Sequence, residues 1–207
     1  MLAIDRDRGA LFDAGRRFDP VTRVWHPEAP PAGLTAIDPL DAVRWLQHES
    51  GHRLRTPVGV IGPRDAGVEQ LAIAEAVGAG LAQLGLAIVC GGRQGVMEAA
   101  CRGAATHGGV SIGLLPEADP GLANPYVTVP IATGIGEARN ALVARAALCL
   151  VAIGDSYGTL SEVALGLQFG KPVFGLAGAA QVKGVRVCAS AEAAIGAVAR
   201  VVLALPG

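Results

Sequence analysis

Four glycine-rich segments hold the residues of this chain that are best suited to bind an anion. Three of them, GPRDAG, CGGRQGVMEA and IGDSYGTLSE, follow short apolar runs, and the fourth, TGIGEARN, opens a helical window. Glycine lets backbone amides approach a ligand closely, and a helix N-terminus presents unpaired N–H donors with a partial positive charge. Together the segments predict a phosphate-binding crevice, although each one alone is also typical of a tight connection.

The start of the helix in IGDSYGTLSE has two interpretations. Thr159 and Glu162 have the spacing of a capping box, in which both side chains satisfy backbone donors at the helix start. Alternatively, the turn holds a ligand and Glu162 faces it. The two roles can coexist, and the sequence leaves them open.

Two common nucleotide-binding motifs are absent from these segments. CGGRQGVM lacks the GK[ST] ending with which a P-loop grips a nucleoside triphosphate and its magnesium ion. GIGEAR lacks the third glycine of the dinucleotide fingerprint, and no acidic residue is placed to hold a ribose. The sequence therefore disfavours an ATPase and an NAD-dependent enzyme.

The elements that position these segments belong to an α/β fold. From residue 56 to residue 207, short apolar runs such as PVGVIG and LCLVAIG alternate with alanine-rich helical windows. This pattern predicts a Rossmann-like, doubly wound, mainly parallel sheet with helices on both faces. In such a sheet ligands bind at the carboxyl ends of the strands, where the first three segments are expected to lie, with TGIGEARN opening a helix nearby.

Residues 1–55 differ in texture and are predicted to form a small N-terminal extension. ALFDAGRRFDPVTRVW predicts a hairpin with a turn at Asp19-Pro20. DPLDAVRWLQHESG predicts a short helix that is capped by Asp38 or Asp41 and ends at Gly51. We expect an extension of a hairpin and one helix.

Composition and charge exclude several classes of protein. Hydrophobic residues make up 51% of the chain, charged residues 17%, and the net charge is -1, with no basic stripe for nucleic acid. No apolar segment reaches membrane length, and charges interrupt the first residues, so we expect a cytoplasmic protein without a membrane partner. The four cysteines and four histidines show no metal-ligand spacing, which predicts buried thiols and a metal only inside a bound ligand.

Three stretches carry a family resemblance. GGRQGVMEAACRGA, NPYVTVPIATGIGEARN and IGDSYGTLSEVALGLQFGKPV resemble the Lonely Guy superfamily, whose members were once labelled possible lysine decarboxylases. The similarity is greater to the molybdenum cofactor carrier branch, and it spans about residues 57–176. It implies a Rossmann-like fold, a homodimer or higher homo-oligomer, and a bound nucleotide or phosphate-bearing cofactor such as molybdenum cofactor.

The same resemblance implies a catalytic pair for an alternative function. In the superfamily's phosphoribohydrolases, an arginine and a glutamate cleave the N-glycosidic bond of a nucleoside 5′-monophosphate, giving base and ribose 5-phosphate. The matching positions here are Arg139 of GEARN and Glu162 of GTLSE. A carboxylate there can stabilise an oxocarbenium-like transition state, and an arginine can hold the phosphate. No sequence feature identifies a lysine that would bind pyridoxal phosphate, so lysine decarboxylation is not expected.

Departures from the hydrolase pattern favour binding over turnover. The hydrolases have a PGGxGTxxE turn, whereas this chain has Ile153 in place of the proline and Asp155 in place of the second glycine. A carboxylate at Asp155 repels a phosphate unless a cation or hydroxyl intervenes. We therefore expect a carrier or binding protein for a purine nucleotide or a molybdopterin-type cofactor, with the phosphoribohydrolase as the alternative.

The candidate ligand-binding residues come from all four segments. Some have a second interpretation, since Arg64 and Arg93 can be ordinary loop arginines and Met97 can belong to the core. The candidates are Gly62, Arg64, Gly91, Gly92, Arg93, Gly95, Met97, Gly136, Asn140, Gly154, Asp155, Ser156, Tyr157, Gly158 and Thr159.

Overall fold

The computed structural model describes residues 1–206, which fall into two compact units. The N-terminal unit comprises Met1–Leu54 and the C-terminal segment from Gly196, and the Rossmann-like unit comprises Arg55–Ile195. The sequence predicts one domain from residue 56 to residue 207, and the contacts within the structure group its last residues, from Gly196, with the first unit.

The N-terminal unit is built on a five-stranded antiparallel sheet. Its strands are β1 (Ala3–Asp5), β2 (Ala10–Asp13), β3 (Arg16–Asp19), β4 (Val24–Pro27) and β5 (Thr35–Ala36), in the order β4-β3-β2-β1-β5. The predicted hairpin is confirmed, and β3 turns into β4 after Asp19, whose carboxylate accepts from the amide of Val21 at 2.8 Å. Helix α1 (Pro39–His48) is capped by Asp38, the first of the two predicted caps.

Two side chains of β4 and its preceding turn explain why the C-terminal segment belongs to this unit. Helix α6 (Ala191–Val202) begins in the Rossmann-like unit and ends in the N-terminal unit. Arg23 donates to the carbonyls of Val201 and Val202, and the indole of Trp25 donates to the carbonyl of Leu203 at 2.7 Å. The last carbonyls of a helix have no partner within the helix. These side chains supply donors for them, and the carbonyl of Val201 also accepts from the amide of Ala204 at 3.1 Å.

The Rossmann-like unit contains a seven-stranded sheet in which every pairing is parallel, as predicted. The strand order is β12-β11-β10-β6-β7-β8-β9. The strands are β6 (Val58–Ile61), β7 (Ile88–Cys90), β8 (Ser111–Leu115), β9 (Val129–Ala132), β10 (Leu150–Ile153), β11 (Val173–Leu176) and β12 (Val185–Val187). The chain builds outward from β6 to β9 and then returns to place β10 on the other side of β6, which makes the β6/β10 boundary the topological switch point.

The helices of this unit cover both faces of the sheet. They are α2 (Val68–Gln83), α3 (Val96–Thr106), α4 (Asn140–Ala146), α5 (Tyr157–Gln168) and the first residues of α6. On one face, Val143 and Val163 pack with Ile61 and Val89 of the sheet in a buried apolar core. Helices α2 and α3 approach closely at Gly78, where an added Cβ would lie 2.0 Å from the carbonyl oxygen of Ala100.

None of the helices within residues 1–206 combines the length and the apolar character needed to cross a bilayer.

Candidate functional site

A cleft of about 740 Å³ opens where the carboxyl ends of β6 and β10 meet, at the switch point of the sheet. The loop after β6, the 3-10 turn before α4 and the first turns of α5 form its walls. Its volume lies within the range of small-molecule sites in proteins, about 300–1,000 Å³. The lining residues are Gly62, Pro63, Arg64, Asp65, Met97, Glu137, Arg139, Asn140, Asp155, Ser156, Tyr157, Gly158, Thr159, Ser161 and Glu162.

Arg139 is the buried cation of this cleft. It ends the 3-10 turn Gly136–Arg139, and only 4% of its surface is exposed. One guanidinium nitrogen lies 3.7 Å from Glu162 Oε1, and the other lies 3.8 Å from Glu137 Oε2, so both contacts are longer than hydrogen bonds. Its Nε has no hydrogen-bond partner within the described residues. The guanidinium therefore retains donor capacity.

The tip of Arg139 is held in place by its neighbours. Nη1 donates to Asn140 Oδ1, and Asn140 Nδ2 in turn donates to Ser161 Oγ at 2.8 Å. Gly91 lies directly behind the guanidinium, since a Cβ there would come within 2.6 Å of Nη2. These contacts link the loop after β7, the start of α4 and the second turn of α5.

Glu162 is buried beside Arg139, with 6% of its surface exposed. Burial raises the pKa of its carboxyl to about 8, because desolvation of the charged form outweighs the attraction of Arg139, and Glu137 adds a smaller repulsion. At neutral pH the carboxyl is therefore mostly protonated. It can donate a hydrogen bond and does not repel an anion.

The first turn of α5 corrects the capping-box interpretation, which is wrong. The N-cap is Ser156, whose hydroxyl accepts from the amide of Thr159 at 3.1 Å, so Thr159 already lies within the helix. Glu162 falls one turn further along, too far to cap the helix start. This register leaves the Glu162 side chain to line the cleft.

Two glycines with positive φ lie in the loops next to the cleft, outside its lining. Gly95 (φ +71°) starts α3, and a Cβ there would lie 2.2 Å from the carbonyl oxygen of Arg64. Gly154 (φ +70°) follows β10, and a Cβ there would lie 2.5 Å from Nε2 of Gln70. Gln70 also donates to the carbonyl of Ala177 at 3.1 Å, so it braces the loops after β10 and β11.

The structure brings together many, but not all, of the residues predicted for the site. Lining the cleft are Gly62, Arg64, Met97, Arg139, Asn140, Asp155, Ser156, Tyr157, Gly158, Thr159 and Glu162. The predicted residues outside the lining are Gly91, Gly92, Arg93, Gly95, Gly136 and Gly154. The lining residues that were not predicted are Pro63, Asp65, Glu137 and Ser161. All four lie within the glycine-rich segments, so taking every residue of those segments as a candidate would have included them.

Arg93 lies apart from the cleft because it has a different partner. Its guanidinium forms an ion pair with Glu117, which follows β8, and its backbone carbonyl accepts from Asn124 Nδ2 at 3.0 Å. These contacts tie together the loops after β7 and β8. Arg93 therefore connects these two loops and does not line the cleft.

Within residues 1–206, no group of three or more histidine, cysteine, aspartate or glutamate side chains could hold a metal ion. The cysteines are free; Cys90, Cys101 and Cys149 are buried, as predicted for thiols in the core, and Cys188 is half-buried.

Comparison with known proteins agrees with this architecture. A protein of Archaeoglobus fulgidus is 37% identical over 138 residues, which span 67% of this chain and 91% of that one. The molybdenum cofactor binding protein of Rippkaea orientalis superposes with a TM-score of 0.66 at 34% identity, covering 70% of this chain and 96% of that one. The Moco carrier protein of Chlamydomonas reinhardtii gives 0.67 at 37% identity, covering 73% and 100%.

A family model matches residues 55–201, which span the parallel sheet, its helices and the whole cleft. The predicted resemblance to the Lonely Guy superfamily and its molybdenum cofactor carrier branch is confirmed by this match and by the structural neighbours. The chain belongs to the SLOG cluster4 family.

Proposed function

We propose that this protein binds a phosphate-bearing ligand, either a purine nucleotide or a molybdopterin-type cofactor, and releases it unchanged. One observation carries the proposal: a buried guanidinium lines a switch-point cleft with a donor that no protein group satisfies. A buried donor without a partner costs about 1–3 kcal/mol. An anionic ligand at Arg139 would recover that cost through charge-assisted hydrogen bonds.

The protonation of Glu162 supports binding without turnover. A neutral carboxyl beside Arg139 leaves the guanidinium charge available for a phosphate and adds a hydrogen-bond donor. Glycosidic cleavage instead calls for a carboxylate that stabilises developing positive charge on the sugar. With its pKa near 8, Glu162 is poorly suited to that role at neutral pH.

The cleft also fits a cofactor of the size of molybdopterin. Its volume of about 740 Å³ accommodates a fused ring system with a phosphate. Arg139 would hold the phosphate, and Ser156 and Gly158 at the start of α5 would face the remainder. Such a cofactor supplies its own redox chemistry, and the protein would hold the cofactor and shield it from water. Two structural neighbours are named as proteins that bind or carry molybdenum cofactor.

The test is direct binding followed by recovery of the ligand. The full chain is titrated by calorimetry with adenosine and guanosine 5′-monophosphates, and with molybdenum cofactor released from a molybdoenzyme. We expect at least one ligand to bind at low micromolar concentration or better and to be recovered intact. Failure of all three to bind would remove the proposal.

One observation favours a second candidate, the phosphoribohydrolase. Arg139 and Glu162 line the same cleft and approach to 3.7 Å, as a catalytic pair would. Incubation with either monophosphate, followed by quantification of ribose 5-phosphate, tests this candidate. Release that is lost in Glu162→Gln, and that increases as pH rises through 8, would establish hydrolysis in place of carriage.

Homo-oligomeric assembly and a cytoplasmic location are parts of the same proposal. The alanine-rich helices α4 and α5 are the expected dimer face, on which Leu142 is exposed. A monomer in light scattering would contradict this assignment.

A further inference from the structure

The cleft is electrically asymmetric. Its floor holds Arg139, buried and with a free donor, whereas its mouth holds Asp155 and Tyr157 in exposed positions. No hydrogen bond or ion pair engages the Asp155 carboxylate within residues 1–206. A ligand in the cleft can therefore contact both a buried cation and an exposed, unpartnered carboxylate.

The backbone fixes Asp155 in place. The amide of Gly154 donates to the carbonyl of Leu176 at 3.0 Å, and Ser156 caps helix α5. Asp155 lies between these two anchored residues at the end of a buried strand. Its backbone is therefore held at the rim, and its exposed carboxylate offers two acceptor oxygens two residues from an aromatic ring.

Tyr157 supplies the second element of this rim. Its side chain is 94% exposed although it lines the cleft, an unusual placement for a large ring. An exposed ring at a cleft mouth offers a face on which a planar heterocycle can stack. Stacking on Tyr157 would bring the edge of that heterocycle towards the neighbouring Asp155.

A carboxylate with two free oxygens selects a heterocycle edge with two adjacent N–H donors. The 2-amino-4-oxopyrimidine ring, common to guanine and pterins, has this edge, with a ring N–H beside an exocyclic amine. Adenine presents a ring acceptor instead, which a carboxylate repels. Paired donors and acceptors of this kind change affinity by about 10-fold or more between right and wrong bases.

We propose that Asp155 and Tyr157 form a selectivity rim that favours ligands with a 2-amino-4-oxopyrimidine edge, with their phosphate at Arg139. This inference rests on the proposed function, because the anion at the floor sets the direction of the ligand. It narrows the ligand class to guanine nucleotides and pterin cofactors. It also gives Asp155 a role that does not require it to face a phosphate.

The experiment compares three phosphates on the full chain in the presence of EDTA. Guanosine and adenosine 5′-monophosphates and ribose 5-phosphate are titrated into the wild type, Asp155→Asn and Asp7→Asn. Asp7 is the matched control, since it is an exposed aspartate outside the cleft lining. We expect the wild type and Asp7→Asn to prefer the guanine nucleotide at least about 10-fold, and Asp155→Asn to reduce this preference to about 2-fold.

The control ligand separates this inference from the proposed function. Ribose 5-phosphate lacks a base, so its affinity should be the same in the wild type and in Asp155→Asn. Tyr157→Ala should weaken both nucleotides by about 10-fold and leave ribose 5-phosphate unchanged. Molybdenum cofactor, titrated into the same variants, distinguishes the two sources: loss of its binding in Asp155→Asn, with weak binding of the guanine nucleotide throughout, identifies the pterin.

Three results would overturn the inference. Equal affinity for the two nucleotides, with ribose 5-phosphate still bound, would remove the selectivity rim and leave the proposed function standing. Binding that appears only when magnesium replaces EDTA would show that Asp155 holds a cation instead of a base edge. Failure of all three phosphates and of molybdenum cofactor to bind would remove both proposals.

Discussion

Two arginine–glutamate pairs in the Rossmann-like unit show what distinguishes a structural ion pair from a candidate site. Arg102 of α3 donates to Glu75 of α2 at 2.8 Å, both side chains are partly exposed, and this hydrogen bond lowers the pKa of Glu75. Arg139 and Glu162 are buried and 3.7 Å apart, and burial raises the pKa of Glu162 to about 8.

The difference lies in whether the two groups satisfy each other. At the surface, the Arg102–Glu75 pair forms a hydrogen bond in water and contributes up to about 1 kcal/mol. In the cleft, the guanidinium keeps an unpaired Nε, and its glutamate neighbour prefers to be neutral. Identical residue types therefore form a satisfied surface contact in one place and, in the other, a buried pair whose arginine keeps an unpaired donor, which supports the proposed anion-binding role.

The largest expected effect follows from removing the buried arginine of the cleft. Arg139→Gln should weaken binding of a phosphate-bearing ligand by 100-fold or more, because the buried charged donor that faces the cleft is lost. Isothermal titration of guanosine 5′-monophosphate measures the change, and a thermal melt verifies folding. Arg102→Gln is the matched control and should bind as the wild type does; an equal loss in both variants would contradict the comparison.

The next effect concerns stability and pH. Below pH 4.5 Glu162 is protonated in both states, whereas between pH 4.5 and 8 only the unfolded chain releases its proton. The free energy of unfolding should therefore fall across this window by about 3–5 kcal/mol and then level off. Urea denaturation at pH 5 and pH 8 should show this decrease in the wild type. In Glu162→Gln the free energy of unfolding should lack the part of the decrease that comes from Glu162.

Glu75→Gln supplies the opposite sign for that measurement. Since the pKa of Glu75 is lowered, its contribution to stability is present above its unfolded pKa and is lost as pH falls. Its replacement should change only the acid side of the curve, and slightly, because the pair is partly exposed. If Glu75→Gln changed how the free energy of unfolding depends on pH between pH 5 and 8, the assignment of that dependence to Glu162 would be contradicted.

A smaller effect is expected from adding a methyl group at Gly91, next to the Arg139 guanidinium. A Cβ at residue 91 would lie 2.6 Å from Arg139 Nη2 and 2.9 Å from the sulfur of Met97, so Gly91→Ala should displace the guanidinium. We expect about a 10-fold loss of affinity in the same titration, since misplaced donors form weaker hydrogen bonds. Gly196→Ala, where no atom lies within 4 Å of an added Cβ, should leave affinity unchanged.

The smallest effect concerns the support of Asn140. Ser161→Ala removes the hydroxyl that accepts from Asn140 Nδ2 at 2.8 Å, at a cost of about 1 kcal/mol of stability. Affinity for the nucleotide should fall about 2- to 5-fold, because Asn140 then holds the Arg139 guanidinium less firmly. A fall as large as that of Arg139→Gln would show that Ser161 contacts the ligand directly.

Much of the fold could be predicted because it depends on local patterns. Buried strands such as LCLVAI, followed by glycine and an alanine-rich window, indicate a parallel sheet with crossover helices. The loops at the carboxyl ends could be located for the same reason. The five-stranded extent of the N-terminal sheet was not predicted, since its first and fifth strands contain only three and two residues.

The details of the site depend on contacts between distant segments. Whether Arg93 faces the cleft or Glu117 depends on how the loops after β7 and β8 meet, and no local pattern encodes that meeting. The cap at Ser156 in place of Thr159 is a shift of three residues between two plausible caps. The raised pKa of Glu162 follows from burial, which needs the whole fold.

The caps that Arg23 and Trp25 place on the end of α6 bear on how this chain differs from its relatives. About 70% of the chain covers 96–100% of two of the structural neighbours, so the antiparallel sheet is an addition to a shared body. That addition contains the donors for the carbonyls of Val201, Val202 and Leu203. Cutting the chain at residue 55 would remove those side-chain donors, so a shortened chain should lose stability at the C-terminal end of α6, a helix that the family match to residue 201 includes almost entirely.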